Sequence, residues 1–223
     1  MIPSAFLLVA VIVNLAGCIT GNRPLAVAVK PALLPLIALT SLAILVREPF
    51  DWRSVGLLIA AQLFGMAGDI FLISDETILF GAGMAAFLAG HVCYITLFGG
   101  VSWKGLSWKA WIAALVVIAA LVFTLVKVIG ISGVLLVPMI IYGSALLFLV
   151  FTGLCGVVRF GCKWWPILAG GIIFLTSDGL IALSTFRIES TPVVSFAVMA
   201  TYILAQCLLA AGGIYLAKKS VND

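Results

Sequence analysis

Apolar segments long enough to cross a bilayer recur along the whole chain, and this one feature decides most of what it can become. Between Ala110 and Val126 the run is uncharged throughout and polar only at Thr124. It does not alternate apolar with polar residues, as a strand of a membrane barrel would. Breaking the chain at its charged and Gly/Pro clusters gives eight such segments: Ser4 to Thr20, Leu25 to Val46, Val55 to Ile73, Ile78 to Phe98, Ala110 to Val126, Val134 to Cys155, Trp165 to Ser184 and Val193 to Ala217. A transmembrane helix needs about 20 mostly apolar residues. The expectation is an all-α, polytopic membrane protein: a bundle of about eight transmembrane helices forming one domain over residues 1–223.

Composition agrees. Of the 223 residues 65% are hydrophobic and 9% charged, with a mean hydropathy of +1.34. Soluble domains carry about 25% charged residues, so too few charges are present here to coat a water-soluble globule. The formal charge of +4 is small and scattered, which argues against a nucleic-acid partner. The five cysteines, Cys18, Cys93, Cys155, Cys162 and Cys207, share no metal-ligand spacing, and most lie in apolar runs. They read as free thiols without a zinc site.

An even number of spans puts both termini on one side. That side holds Arg47, Arg53, Lys104, Lys109, Arg159, Lys163, Lys218 and Lys219, eight of the 12 basic residues, against Arg23, Lys30, Lys127 and Arg187 on the other. The positive-inside rule then makes both termini cytoplasmic. All six tryptophans, Trp52, Trp103, Trp108, Trp111, Trp164 and Trp165, flank loops of the same side and would form an interfacial belt. Leu15-Ala16-Gly17-Cys18 has the form of a lipoprotein cleavage box, but no Lys or Arg precedes it, so a retained first helix is expected.

Charge at bilayer depth costs about 2.5–3.5 kcal/mol at mid-helix, which makes each intramembrane ionisable residue a candidate for function. Four qualify: Lys30, Asp69, His91 and Asp178. At ~1.5 Å per residue, Lys30, Asp69 and Asp178 all fall in the outer half of their spans, and His91 sits about 20 Å deep. Neutral polar groups accompany them: Asn14 on the first helix, Tyr94 one turn beyond His91, and Tyr202 with Gln206 at i, i+4 on the last. Gln62, Gly65 and Asp69 share one helix face. Small residues at Ala86, Gly90, Gly170 and Gly171 would let these helices approach closely. Pro31, Pro35 and Pro138 are expected to kink their helices.

Read as residues alone, the set fits two functions: acid/base hydrolysis inside a lipid-accessible site, or proton-coupled transport of a small molecule or lipid. Lys30 likewise has two roles open to it, as counter-ion to a carboxylate or as partner of a substrate phosphate. Burial of these charges as mere structural partners is the third reading.

The segments Val29-Lys30-Pro31, Gly65-Met66-Ala67-Gly68-Asp69, Phe87-Leu88-Ala89-Gly90-His91-Val92-Cys93-Tyr94, Thr176-Ser177-Asp178 and Tyr202-Ile203-Leu204-Ala205-Gln206 occur in the order seen in the YhhN family. The chain resembles a member of that family of lysoplasmalogenase-like membrane proteins over nearly its whole length. One departure is Gln206, which stands where some relatives carry histidine. The resemblance implies hydrolysis of the vinyl ether bond of lysoplasmalogens, such as lysoplasmenylethanolamine and lysoplasmenylcholine, to a fatty aldehyde and glycerophosphoethanolamine or glycerophosphocholine. It also implies residence in a bacterial inner membrane, with a lysophospholipid substrate and membrane lipids as partners. The chemistry asks for one carboxylic acid and one carboxylate, and for no cofactor or metal. Asp69 and Asp178 are the expected pair, titrating as a unit, with His91 as proton relay or positioning group. Lys30, Tyr94, Tyr202, Gln206 and Asn14 are the expected substrate-binding residues.

Overall fold

Residues 2–74, 76–130 and 133–222 are described by a computed structural model, the side chains from 219 onward excepted, so that of Lys219 lies outside the described residues. Among the described residues eight α-helices follow one another: α1 (Ile2–Ile19), α2 (Arg23–Leu45), α3 (Trp52–Phe71), α4 (Thr77–Ser102), α5 (Trp108–Ile129), α6 (Leu136–Phe160), α7 (Trp165–Phe186) and α8 (Pro192–Asn222). By length and hydropathy, seven helical stretches among the described residues can cross a membrane. One of them, Gly133–Phe186, contains α6 and α7 joined by a single 3-10 turn at Gly161–Trp164.

The helix ends are written in local chemistry. Asn22 accepts from the Leu25 amide to start α2, Asp51 accepts from Arg53 and Ser54 to start α3, and Ser107 accepts from Ala110 to start α5. The Ser54 hydroxyl and amide hold the Asp51 carboxyl below the usual carboxylate range. Gly130 ends α5 at φ +74, a left-handed conformation that glycine takes without strain. Pro138 falls in the first turn of α6, because that helix begins at Leu136 rather than Val134. A first-turn amide has no intrahelical partner to lose, so Pro138 is not the interior kink expected of it. Pro31 and Pro35 do lie inside α2.

Large apolar side chains cover the outside as well as the core. On α5, Leu115, Val116 and Phe123 are all exposed. A helix apolar on every side is at equilibrium in lipid, not water. The buried stripe of α8 runs through Met199, Tyr202, Ile203, Gln206, Leu209, Ala210, Gly213 and Leu216 at spacings of three and four, and this helix packs against α1, α2, α3 and α7. It is the axle of the bundle. At one end of the bundle the amide of Asp51 bonds the Ala217 carbonyl and Lys218 pairs with Glu48 at 3.0 Å. At the other, Arg23 reaches the Ile73 carbonyl and Arg187 that of Ile129.

Close approach between helices rests on the small residues. A Cβ at Gly90 would lie 3.1 Å from the Ala61 carbonyl of α3, and one at Gly170 would lie 3.0 Å from Leu209 of α8. The tryptophans divide into three groups, Trp103 and Trp111 being half-buried. Trp52, Trp108 and Trp165 are exposed and suit an interfacial belt, but Trp164 is fully buried. Trp164 stacks on Phe160 at 5.4 Å and meets Phe98 edge-on at 6.4 Å, because Gly156 leaves the space for its ring. A Cβ at position 156 would come within 1.9 Å of that ring. Gly156→Ala should therefore cost about 1–3 kcal/mol by forcing Trp164 out of its slot. A thermal melt in detergent checks this: an unchanged midpoint would mean that the slot repacks freely.

Candidate active site

Five helices converge on the polar centre. Asp69 lies near the end of α3 and is 1% exposed. Lys30 of α2 brings its Nζ to 3.4 Å from Asp69 Oδ1, and the Tyr202 hydroxyl of α8 donates to Oδ2 at 2.7 Å. The lysine therefore pairs with the carboxylate, while about a fifth of its side chain remains exposed at the site's mouth. A buried carboxylate held by an ammonium and a phenol is compensated at both oxygens.

Asp178 of α7 is held differently. Its Oδ2 accepts from the Tyr142 hydroxyl of α6, and its remaining surface faces an apolar cavity. Asp69 and Asp178 are near enough to act on one another electrostatically, and Lys30 acts on both. Among the described residues no hydrogen bond joins the two carboxyls; each has its own tyrosine. The two aspartates thus stand in separate carboxyl–phenol units.

His91 of α4 lies beside this centre without a hydrogen bond to either aspartate. Its ring meets Tyr142 edge-on at 5.4 Å and Phe174 at 4.6 Å. The Phe87 carbonyl one turn earlier approaches it, yet neither ring nitrogen has a hydrogen bond of acceptable geometry. The ring thus packs against Tyr142, the hydrogen-bond partner of Asp178.

Tyr94 and Gln206 belong to a second polar cluster. Gln62 donates to the Tyr94 hydroxyl and to Gln206 Oε1, the latter at 3.3 Å, and Tyr94 donates to the same oxygen at 3.0 Å. Gln62 is seven residues from Asp69 along α3, about 10 Å of helix axis. A small cavity of about 170 Å³ is lined by His91, Tyr94, Gln206, Gly65 and Phe174. Asn14 stands apart. It donates to the Ala26 carbonyl at 2.8 Å and ties α1 to α2, bordering neither of the larger cavities.

The two larger cavities adjoin at Leu72 and Ile181, three residues beyond Asp69 and Asp178 respectively. The first is an apolar chamber of about 880 Å³, walled by α4, α5, α6 and α7, with Tyr142 and Asp178 on its lining. The second, about 1250 Å³, is the more polar of the two, with Lys30, Ser74, Thr77, Ser184 and Ser195 on its border among apolar residues. Leu72, Phe80 and Ile181 line both. A pocket of this bipartite kind suits a molecule with one charged end and one hydrocarbon end.

With the geometry in place, comparison with known families gives one result: the YhhN family matches residues 25–213. The chain belongs to the YhhN family. The match spans α2 to most of α8, and so takes in all the residues of both polar clusters. Comparison with curated proteins and with solved structures gives no match. Membership in the YhhN family is consistent with a lysoplasmalogenase-like membrane protein and with a hydrolase. Tyr142 is the one site residue that sequence reasoning passed over. It is one of only four tyrosines, set in the polar triplet Tyr142-Gly143-Ser144 of an otherwise apolar helix, and that was the available signal.

Proposed function

We propose that the protein is a membrane-embedded hydrolase that cleaves the vinyl ether bond of a single-chain, lysoplasmalogen-type phospholipid. The observation that carries the reading is that Asp178 lines the apolar chamber while Lys30, paired with Asp69, borders the more polar cavity that adjoins it at Leu72, Phe80 and Ile181. A lipid whose phosphate lies in the polar cavity by Lys30 and whose chain lies in the apolar chamber presents its ether linkage to that junction. In the membrane the chain crosses eight times, α6 and α7 each forming a span, with both termini cytoplasmic by the distribution of basic residues. The plasma membrane of a bacterium is the proposed location.

In the reaction a carboxylic acid delivers a proton to the β-carbon of the vinyl ether, and the ether oxygen's lone pair stabilises the resulting oxocarbenium ion. Water adds to the α-carbon as a base removes its proton, and the hemiacetal collapses to aldehyde and alcohol. Asp178, facing the apolar chamber with a phenol beside it, is suited to the acid role. Asp69, compensated by Lys30 and Tyr202, is suited to remain ionised and stabilise the cation. This is the division of labour of the paired carboxylates in glycosidases, which also stabilise an oxocarbenium-like state. His91 acts as a positioning group through Tyr142.

The test is aldehyde release from lysoplasmenylethanolamine by purified protein in detergent, where no gradient exists. Turnover supports the hydrolase. A folded protein that makes no aldehyde yet moves protons or lipid in vesicles would replace it with transport.

A further inference from the structure

We infer that the hydrocarbon chain of the substrate enters and leaves sideways, through a portal between α4 and α5 that opens the apolar chamber to the bilayer. The inference takes its ligand, a single-chain phospholipid, from the proposed function, but it does not require that the lipid be hydrolysed.

The first support is the arrangement of the two helices. α4 and α5 are consecutive and joined by a short loop, and Trp103 and Trp111 meet edge-on at 5.4 Å beside it. Beyond that point the two helices do not pack along their lengths. Both nevertheless wall the chamber, α4 through Phe80, Met84 and Phe87, and α5 through Val122, Leu125, Val126 and Ile129. These residues lie at the ends of α4 and α5 remote from the tryptophans, so the helices form a wedge whose wide end is the chamber. The lining is apolar on both sides, which suits hydrocarbon and not water.

The second support is what the chamber lacks. Gly143 of α6 and Gly179 of α7 both line it, and a Cβ added at either would meet nothing within 4 Å. Interior glycines weaken a helix, and most small residues between these helices are explained by a close neighbour. These two have none, and each is next in sequence to a member of the acid–phenol pair, Tyr142 or Asp178. They keep space open beside the site for something other than protein.

The third is length. The lining runs from Leu175 to Ala182 on α7 and from Val122 to Ile129 on α5. That is about 10 Å of helix axis, far less than the roughly 15 Å that one leaflet's hydrocarbon occupies. A long chain seated with its ether at Asp178 must therefore continue out through the wedge into the membrane. The site would draw lipid directly from the leaflet, and only the part of the chain next to the headgroup would be enclosed.

The experiment uses the full-length protein in phosphatidylcholine nanodiscs and an acyl lysophosphatidylethanolamine carrying a diazirine at mid-chain, which has no vinyl ether to cleave. Photolabelling should fall on the facing residues of α4 and α5, around Met84 and Val126, and be competed by unlabelled lysolipid. Gly143→Leu and Gly179→Leu place a side chain in open space, so folding should persist. By excluding about two methylenes' worth of burial, each should lower the competed label by roughly 10-fold. Labelling spread over the lipid-facing surface without competition, or unchanged in both variants, overturns the portal. So does a protomer interface that seals the α4–α5 gap in the intact oligomer. Competed labelling in a protein that releases no aldehyde leaves the portal standing and removes the hydrolase; aldehyde release with uncompeted labelling does the reverse.

Discussion

Replacement of Asp178 by asparagine lowers kcat for aldehyde release by about 10²–10⁴-fold, the usual contribution of a general acid. The same substitution at Asp69 also removes turnover, for a different reason. An amide at 178 can still accept from Tyr142 but has no proton acidic enough to give to carbon. An amide at 69 keeps a partner for Tyr202 but cannot offset the positive charge that develops beside it. Because the two carboxyls act on each other, the double variant should lose little more than either single one. Rates measured with folding checked by size exclusion decide the matter; full activity in either variant removes that aspartate from the mechanism.

Lys30→Met destabilises the protein by about 3 kcal/mol, near the lower end for breaking a buried pair because the lysine is partly exposed. For a chain of this size that corresponds to a fall in Tm of roughly 6–12 °C. The cost lies mainly in Asp69, which is left almost fully buried with only Tyr202 to answer its charge. Adding Asp69→Asn removes the orphaned charge, so the double variant should recover at least half of the lost Tm. Additive losses in the four-member cycle would show that the ion pair contributes nothing to the fold and would favour a purely phosphate-binding lysine.

The helical architecture was legible because it follows from one quantity, the length of apolar runs set against bilayer thickness. The predicted segments fall within or close to α1 to α8, and differ chiefly where amphipathic ends continue a helix, as at Ser102, Phe160 and Asn222. Asp69, Asp178 and Lys30 announced themselves by the cost of charge at depth. What the sequence could not supply was partnership. Tyr142 lies 36 residues from Asp178, and an amphipathic ring in an apolar helix gives no sign of which neighbour its hydroxyl meets. Asn14 gave the opposite problem: a polar residue at depth whose partner proved to be a backbone carbonyl of the adjoining helix. Trp164 was misread for a similar reason, since its sequence position suits a membrane interface and only Gly156 on α6 makes room for it inside.

The most direct test of the central claim is the isotopic composition of the aldehyde formed from lysoplasmenylethanolamine in deuterium oxide. Protonation of carbon by an enzyme acid in exchange with solvent predicts one deuteron on the carbon next to the aldehyde, with formation slowed relative to ordinary water and absent in Asp178→Asn. Aldehyde without that deuteron, or a folded wild-type protein that releases none, would contradict the proposed chemistry.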